Sequence, residues 1–234
     1  MPHPPAQKHG ELREVLPDIF FVTGTFAASK IVRFGRNMTV VRHGGDLVIV
    51  NSVRLDEAGL AALDKLGKVK HVIRLAGNHG MDDAFYAERY GAEVWVVKGQ
   101  RYGSGFTPQH EMDASTKLPI PGAKLYVIDA ATPEGLLVLA EHGGTVVAGD
   151  CLQHWAKPDE FCSFVARVAM RPMGFIKPHN IGPMWLKHAK PPKQQLRGIL
   201  DLTFANVLPA HGAPVVGNAR ELYRPRIDAV ASGS

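Results

Sequence analysis

Apolar positions fall in short runs separated by glycine-rich polar turns, and their period switches between the strand and helix values along the chain. Residues 19–22 read as a short buried strand from their β-branched and aromatic content. Residues 38–43 and 46–51 read as two strands joined by Gly44 and Gly45, a connection that favours a hairpin because both turn positions can take positive φ. Residues 57–66 set Leu60, Leu63 and Leu66 on one helical face and stop at Gly67. A strand at 69–75, a helix at 82–90 closed by Gly91 and a strand at 93–97 follow. Strands alternating with helices predict a layered α/β domain.

Residues 98–123 interrupt this rhythm with repeated glycine and proline and little periodicity. A segment of that kind inside a domain reads equally as a lid or as a surface excursion. Residues 124–129, 136–140 and 145–148 are three more strands, the last two connected through Gly143 and Gly144. Helices are predicted at 161–170 and 193–204, a strand at 206–208, and a last helix at 221–230 with Pro225 near its start. Residues 171–192 are proline-rich and irregular.

Composition narrows the class. The chain has 234 residues, 45% hydrophobic and 21% charged, which is ordinary for a soluble globular protein. No apolar run reaches the ~18–20 residues that span a bilayer, so no membrane partner is expected. Residues 1–10 have no apolar signal-like core and read as a disordered lead-in to a single domain over 11–234. Two cysteines, Cys151 and Cys162, fit free thiols in a reducing cytoplasm better than a disulfide. Net charge is +5, and residues 161–200 hold Arg167, Arg171, Lys177, Lys187, Lys190, Lys193 and Arg197 with no acidic residue. Such a stretch attracts an anionic substrate or nucleic acid. No nucleic-acid motif accompanies it, so a solvated basic face is the simpler reading.

Three turns at strand ends carry the candidate chemistry: GNHGMDD at 77–83, AGDCLQHW at 148–155 and PAHGAP at 209–214. Strand-end loops presenting imidazole and carboxylate together suit zinc, iron or manganese. Asp82 and Asp83 also begin a helix, where a carboxylate caps free N–H groups. Asp83 replaces Asp82 as a candidate if the turn shifts by one residue. Cys151, adjacent to Asp150, and His154 and His179, in flanking loops, are further candidates.

The element order and these turns resemble the metallo-β-lactamase-fold superfamily from about Asp18 to Tyr223. VVAGD is similar to that family's third motif and VLPAHGAP to its last. The resemblance implies a four-layer αββα sandwich of two mixed β-sheets flanked by helices. It also implies metal-dependent hydrolysis of a small-molecule substrate. The first motif, H-x-H-x-D-H in the family, places Gly77 at the first His, His79 at the second, Met81 at the Asp and Asp82 at the last His. The second motif places Ala131 at its His. The metal candidates are therefore His79, Asp82, Asp150 and His211, with Asp82, Asp150 and His211 expected to hold one divalent ion near His79. Such an ion lowers the pKa of bound water from about 16 towards ~7 and supplies hydroxide for attack on an ester, amide, thioester or phosphoester. The substituted ligand positions also support a contrary expectation, a metal-free binding module without catalysis.

Overall fold

The computed structural model describes residues 3–103 and 105–233. Its plan follows from which strand faces are apolar. The first sheet holds, in spatial order, β1 (Arg13–Leu16), β2 (Ile19–Ala27), β3 (Arg33–His43), β4 (Asp46–Val50), β5 (Lys68–Arg74), β6 (Glu93–Val97) and β7 (His110–Met112). β1 to β4 pair antiparallel and β4 to β7 pair parallel. Parallel neighbours need a crossover. Helix α1 (Glu57–Asp64) bridges β4 and β5, and α2 (Asp83–Tyr90) bridges β5 and β6.

The second sheet begins with an antiparallel meander of β8 (Lys124–Ile128), β9 (Glu134–Leu139) and β10 (Thr145–Ala148). A long excursion follows. It contains the short ribbon of β11 (Leu152–Gln153) and β12 (Asn180–Ile181), with α3 (Phe164–Met170), α4 (Pro183–Ala189) and α5 (Lys193–Gly198). The chain then returns as β13 (Asn206–Pro209), parallel to β10, and ends in α6 (Ala219–Ser232).

Alternation along β2 shows how the layers stack. Phe20 and Val22 face Leu60, Leu63, Phe85 and Tyr86 of α1 and α2. Ile19 and Phe21 face Leu125, Leu137, Val147 and Leu208 of the second sheet. The other face of that sheet puts Ile128, Leu136, Val146 and Val207 against Trp185, Leu196, Tyr223 and Ile227. Sheets covered on both faces explain strands such as β10, buried at every position. At ~1.5–3 kcal/mol for each fully buried Val, Leu, Ile or Phe, these three cores supply the main stabilising term. The four-layer αββα class expected from the sequence is the observed one.

The local differences have physical causes. β2 and β3 extend into a long hairpin paired as far as Ala27 and Arg33, carrying the buried polar residues Arg36 and Asn37 that break the apolar pattern. Parts of residues 98–123 are anchored to the sheets. Within them β7 adds an edge strand, Leu118 and Ile120 enter the core between the sheets, and buried Gln100 donates to Leu75 O (3.0 Å) and Pro133 O (2.8 Å). α4 forms inside the stretch read as irregular, with Pro183 in its first turn, where the missing N–H costs nothing. α6 runs through Pro225, held by buried Ala219, Tyr223 and Ile227. Residues 8–10, within the stretch read as a disordered lead-in, are bonded to the rest of the chain. Thr25 Oγ1 donates to Lys8 O, Gly10 N donates to Thr23 O, and the His9 ring accepts from Asp56 N. Met1 and Pro2, also part of that expectation, lie outside the described residues.

Candidate metal centre

Register brings the site together. β10 and β13 run parallel with Ala148 paired to Pro209, so Asp150 and His211 each lie two residues past the last paired positions and emerge side by side. The turn after β5 delivers His79 to the same place. His79 Nε2 lies 3.3 Å and His211 Nε2 3.1 Å from Asp150 Oδ1, and the two imidazole centroids are 5.2 Å apart. One ligand atom from each of the three residues falls within 4.8 Å of the others.

Neighbouring strands orient these groups. His211 Nδ1 donates to Gly35 O at 2.9 Å, which turns Nε2 towards the cluster. A backbone carbonyl on the far ring nitrogen is the usual way to fix a ligating imidazole. Asn37 Nδ2 donates to Pro209 O (2.8 Å) and Gly212 O (2.7 Å), clamping the turn that carries His211. Asn51, at φ 55°, donates to Ala148 O and accepts from Leu75 N, so one amide ties the turn bearing His79 to the strand leading to Asp150. Glu134 Oε1 accepts from Cys151 N at 2.6 Å.

The charge states follow from burial and proximity. Burial pushes the Asp150 carboxyl up, but the His79 and His211 imidazoles outweigh it and hold the group well below the usual carboxylate range. Burial pushes His79 down despite the Asp150 charge, so its ring stays neutral and available as a ligand. His211 moves the other way: burial opposes protonation, but its hydrogen bond to Asp150 and that charge raise it. Burial and the Asp150 charge push Glu134 up to about 8. Two imidazoles and a carboxylate within reach of one point, with one ring neutral and the carboxylate ionised, fit a divalent ion.

The cluster lies in the wall of a cavity of about 610 Å³. Phe26, Phe34, Met170, Phe175, Trp155 and Trp185 form its apolar wall. Arg36, Glu134 and His188 are its titratable groups beside the three site residues. The indole N–H groups of Trp155 and Trp185 and the Nε of Arg36 are buried without a hydrogen-bond partner among the described residues.

Asp82, expected as a ligand, does not join the cluster. Its Oδ2 is paired with Arg36 Nη2 and accepts from Arg54 N at 2.8 Å. It occupies the N-cap position of α2 without making a side-chain cap bond. Asp83 is fully buried, accepts from Ser52 Oγ and Tyr102 Oη, and is raised by that burial. Cys151 and Cys162 are free and buried. His154 and His179 stack on each other with centroids 4.5 Å apart, and neither lines the cavity. The contributors that the sequence reading missed are Gly35, Arg36, Asn37, Asn51 and Glu134. For Arg36, Asn37, Asn51 and Glu134 the only signal was a polar residue inside or at the end of an apolar strand, and Gly35, which acts through its carbonyl, gave none.

No protein-family model and no curated protein matches the sequence. Solved structures do. A DIM-1 metallo-β-lactamase exposed to ceftazidime aligns with 96% of this chain and 100% of its own at TM-score 0.64 and 10% identity. FIM-1 from Pseudomonas aeruginosa, in its mono-zinc form, aligns over 97% and 98% at TM-score 0.63 and 11% identity. A metallo-β-lactamase from Erythrobacter litoralis aligns over 97% and 95% at TM-score 0.61 and 11% identity. The chain has the metallo-β-lactamase fold.

The positions that the sequence resemblance set against family ligands have other surroundings in this structure. A Cβ on Gly77 would overlap Thr132 Cγ2. Ala131 bonds through its backbone N to Ala189 O. Asp82 faces a guanidinium.

Proposed function

We propose that this chain is a metal-dependent hydrolase with one divalent ion held by His79, Asp150 and His211. Its substrate is a largely apolar small molecule bearing an ester, amide, thioester or phosphoester. The observation that carries this reading is the convergence of two imidazoles and one carboxylate on an aromatic and methionine-walled cavity. Two His and one carboxylate are a donor set of catalytic zinc, with a fourth position left for water or substrate. Non-haem iron uses the same set. When bound, the ion supplies Lewis acidity and brings the pKa of coordinated water to ~7.

The residues of the chain have separate tasks in this reading. Gly35 O fixes the His211 ring. The aromatic wall excludes bulk water and strengthens every polar contact inside. Arg36 places a cation in the cavity wall, where it favours a substrate oxygen. Glu134 is a carboxyl able to carry a proton at neutral pH in the cavity wall.

Metal content of the purified protein, by mass spectrometry, tests the reading. We expect near-stoichiometric metal in wild type, lost in Asp150→Ala and His211→Ala, with hydrolysis of an apolar ester or thioester panel falling in parallel. A protein that stays metal-free after incubation with zinc, iron(II) or manganese sinks it. That result would favour the second reading, a metal-free binding module. The filled space at Gly77 and the Arg36–Asp82 pair support that alternative.

A further inference from the structure

The metal site does not use the outward face of α3. On that face Phe164 is 80%, Val168 58% and Val165 43% exposed, while Ala166 and Met170 turn inward. Met173, just past the helix, is 42% exposed. The tip of the β2–β3 hairpin lies beside this helix: Ser163 N donates to Arg33 O at 3.0 Å and Arg33 N to Ser163 Oγ at 3.1 Å. That tip adds Ile31, 66% exposed. Val32 and Phe34 pack with Ala166 and Met170, so hairpin and helix form one unit.

Exposed cations surround these apolar groups. Lys30, Arg33, Arg167, Arg171 and Lys177 are all exposed, and residues 161–200 contain no acidic residue. Nearby Glu160 is already paired with Lys8. Exposed Phe and Val ringed by Arg and Lys are the composition of a segment that lies in the bilayer interface. A second copy of the chain is a poor occupant. A two-fold contact through this face would bring Arg167 and Arg171 near their own counterparts with no carboxylate from the segment between them. Among the described residues no helix is long and apolar enough to cross a membrane.

We propose that α3, residues 171–177 and the β2–β3 hairpin tip dock the protein onto an anionic lipid surface. Phe164, Val168 and Ile31 enter the interface, and Arg33, Arg167 and Arg171 meet headgroup phosphates and carboxylates. The docked face adjoins the cavity wall made by Phe34, Met170 and Phe175.

Co-sedimentation of the full chain with vesicles tests this proposal. The comparison is between phosphatidylcholine alone and phosphatidylcholine with phosphatidylserine, at low and high salt. We expect binding only to the anionic vesicles and release by salt. Arg167→Glu with Arg171→Glu should weaken partitioning at least about tenfold, and Phe164→Asp should weaken it with unchanged circular dichroism and melting. Val168→Trp places a reporter on the face, and its emission should shift to the blue on anionic vesicles. Three results overturn the proposal. One is no sedimentation with anionic vesicles at low salt. Another is adsorption that neither shifts the Val168→Trp emission nor responds to Phe164→Asp. The third is a concentration-dependent dimer in the ultracentrifuge that Phe164→Asp dissolves, which assigns the face to a second copy. None of these measurements depends on metal loading or catalysis.

Discussion

His79 and Asp82 leave the same turn three residues apart and end in opposite electrostatic surroundings. His79 joins an open cluster in which two imidazoles share one oxygen of Asp150 at the wall of a cavity. Asp82 enters a closed one, where Arg36 and the Arg54 backbone N–H satisfy its carboxylate. Asp83 next to it is held by Ser52 and Tyr102, with Arg74 lying over the Tyr102 ring at 4.0 Å. A buried charge can be stabilised either by a fixed counter-ion in the chain or by one from solution. The Asp82 side uses an arginine. The His79 side presents donors that suit a metal. Chemically similar residues in one turn thus serve structure on one side and candidate chemistry on the other.

The largest expected effect breaks the closed side. Asp82→Ala leaves the buried Arg36 guanidinium without its counter-charge and should cost about 3–5 kcal/mol in urea unfolding. Arg36→Met combined with Asp82→Leu should recover much of that loss, since apolar replacement of both members of a buried pair is close to neutral. If Asp82→Ala instead folded normally but lost metal, Asp82 would belong with the ligands and the contrast between the two sides would fail. On the open side, Asp150→Ala should cost less stability, about 1–3 kcal/mol, through imidazoles left without an acceptor. The same substitution should abolish metal retention in dialysis against the free ion.

Gly35→Ala probes the support of the open side. A Cβ there would overlap the Asp159 carboxylate, so we expect about 1–3 kcal/mol of destabilisation. Displacement of Gly35 O should also weaken metal retention more than Asp82→Ala does, relative to folded protein. The smallest effect is a pH dependence of the chelator-stripped protein. The folded-state pKa of His211 lies above its unfolded value of about 6.5, so its pairing with Asp150 stabilises fully below that pH and is lost as pH rises through the raised value. His79 is shifted down, so its contribution has the opposite sign: it is present above about 6.5 and lost on acidification. Urea titrations between about pH 6 and 9 should show an alkaline decline that is shallower in His211→Asn than in wild type, the remainder coming from Glu134, whose carboxyl burial pushes up to about 8. An unchanged decline in that variant would remove the His211–Asp150 pair as its cause.

Most of the scaffold was legible from local pattern. Strands at 93–97 and 145–148, the Gly44–Gly45 hairpin and the α1 face with Leu60 and Leu63 follow from period and turn chemistry, which act over a few residues. Edge strand β7 and helix α4 were missed because their sequences are short and polar or proline-rich, and tertiary contacts select their conformation. The expected absence of a membrane partner rested on the lack of a spanning segment. The apolar and basic residues at Ile31, Phe164 and Arg171 share a face only after folding.

By itself, the sequence offered His79, Asp82, Asp150 and His211 as metal candidates, because strand-end turns place them after apolar runs, and that information is local. Only the tertiary structure decided that Asp82 stands apart, because Arg36 reaches it across 46 positions of sequence. Only folding, likewise, put Gly35 O behind His211 across 176 positions and Thr132 in the space beside Gly77. Charge pairing and steric exclusion depend on distance in space, and the spacing of residues along a chain does not carry that distance.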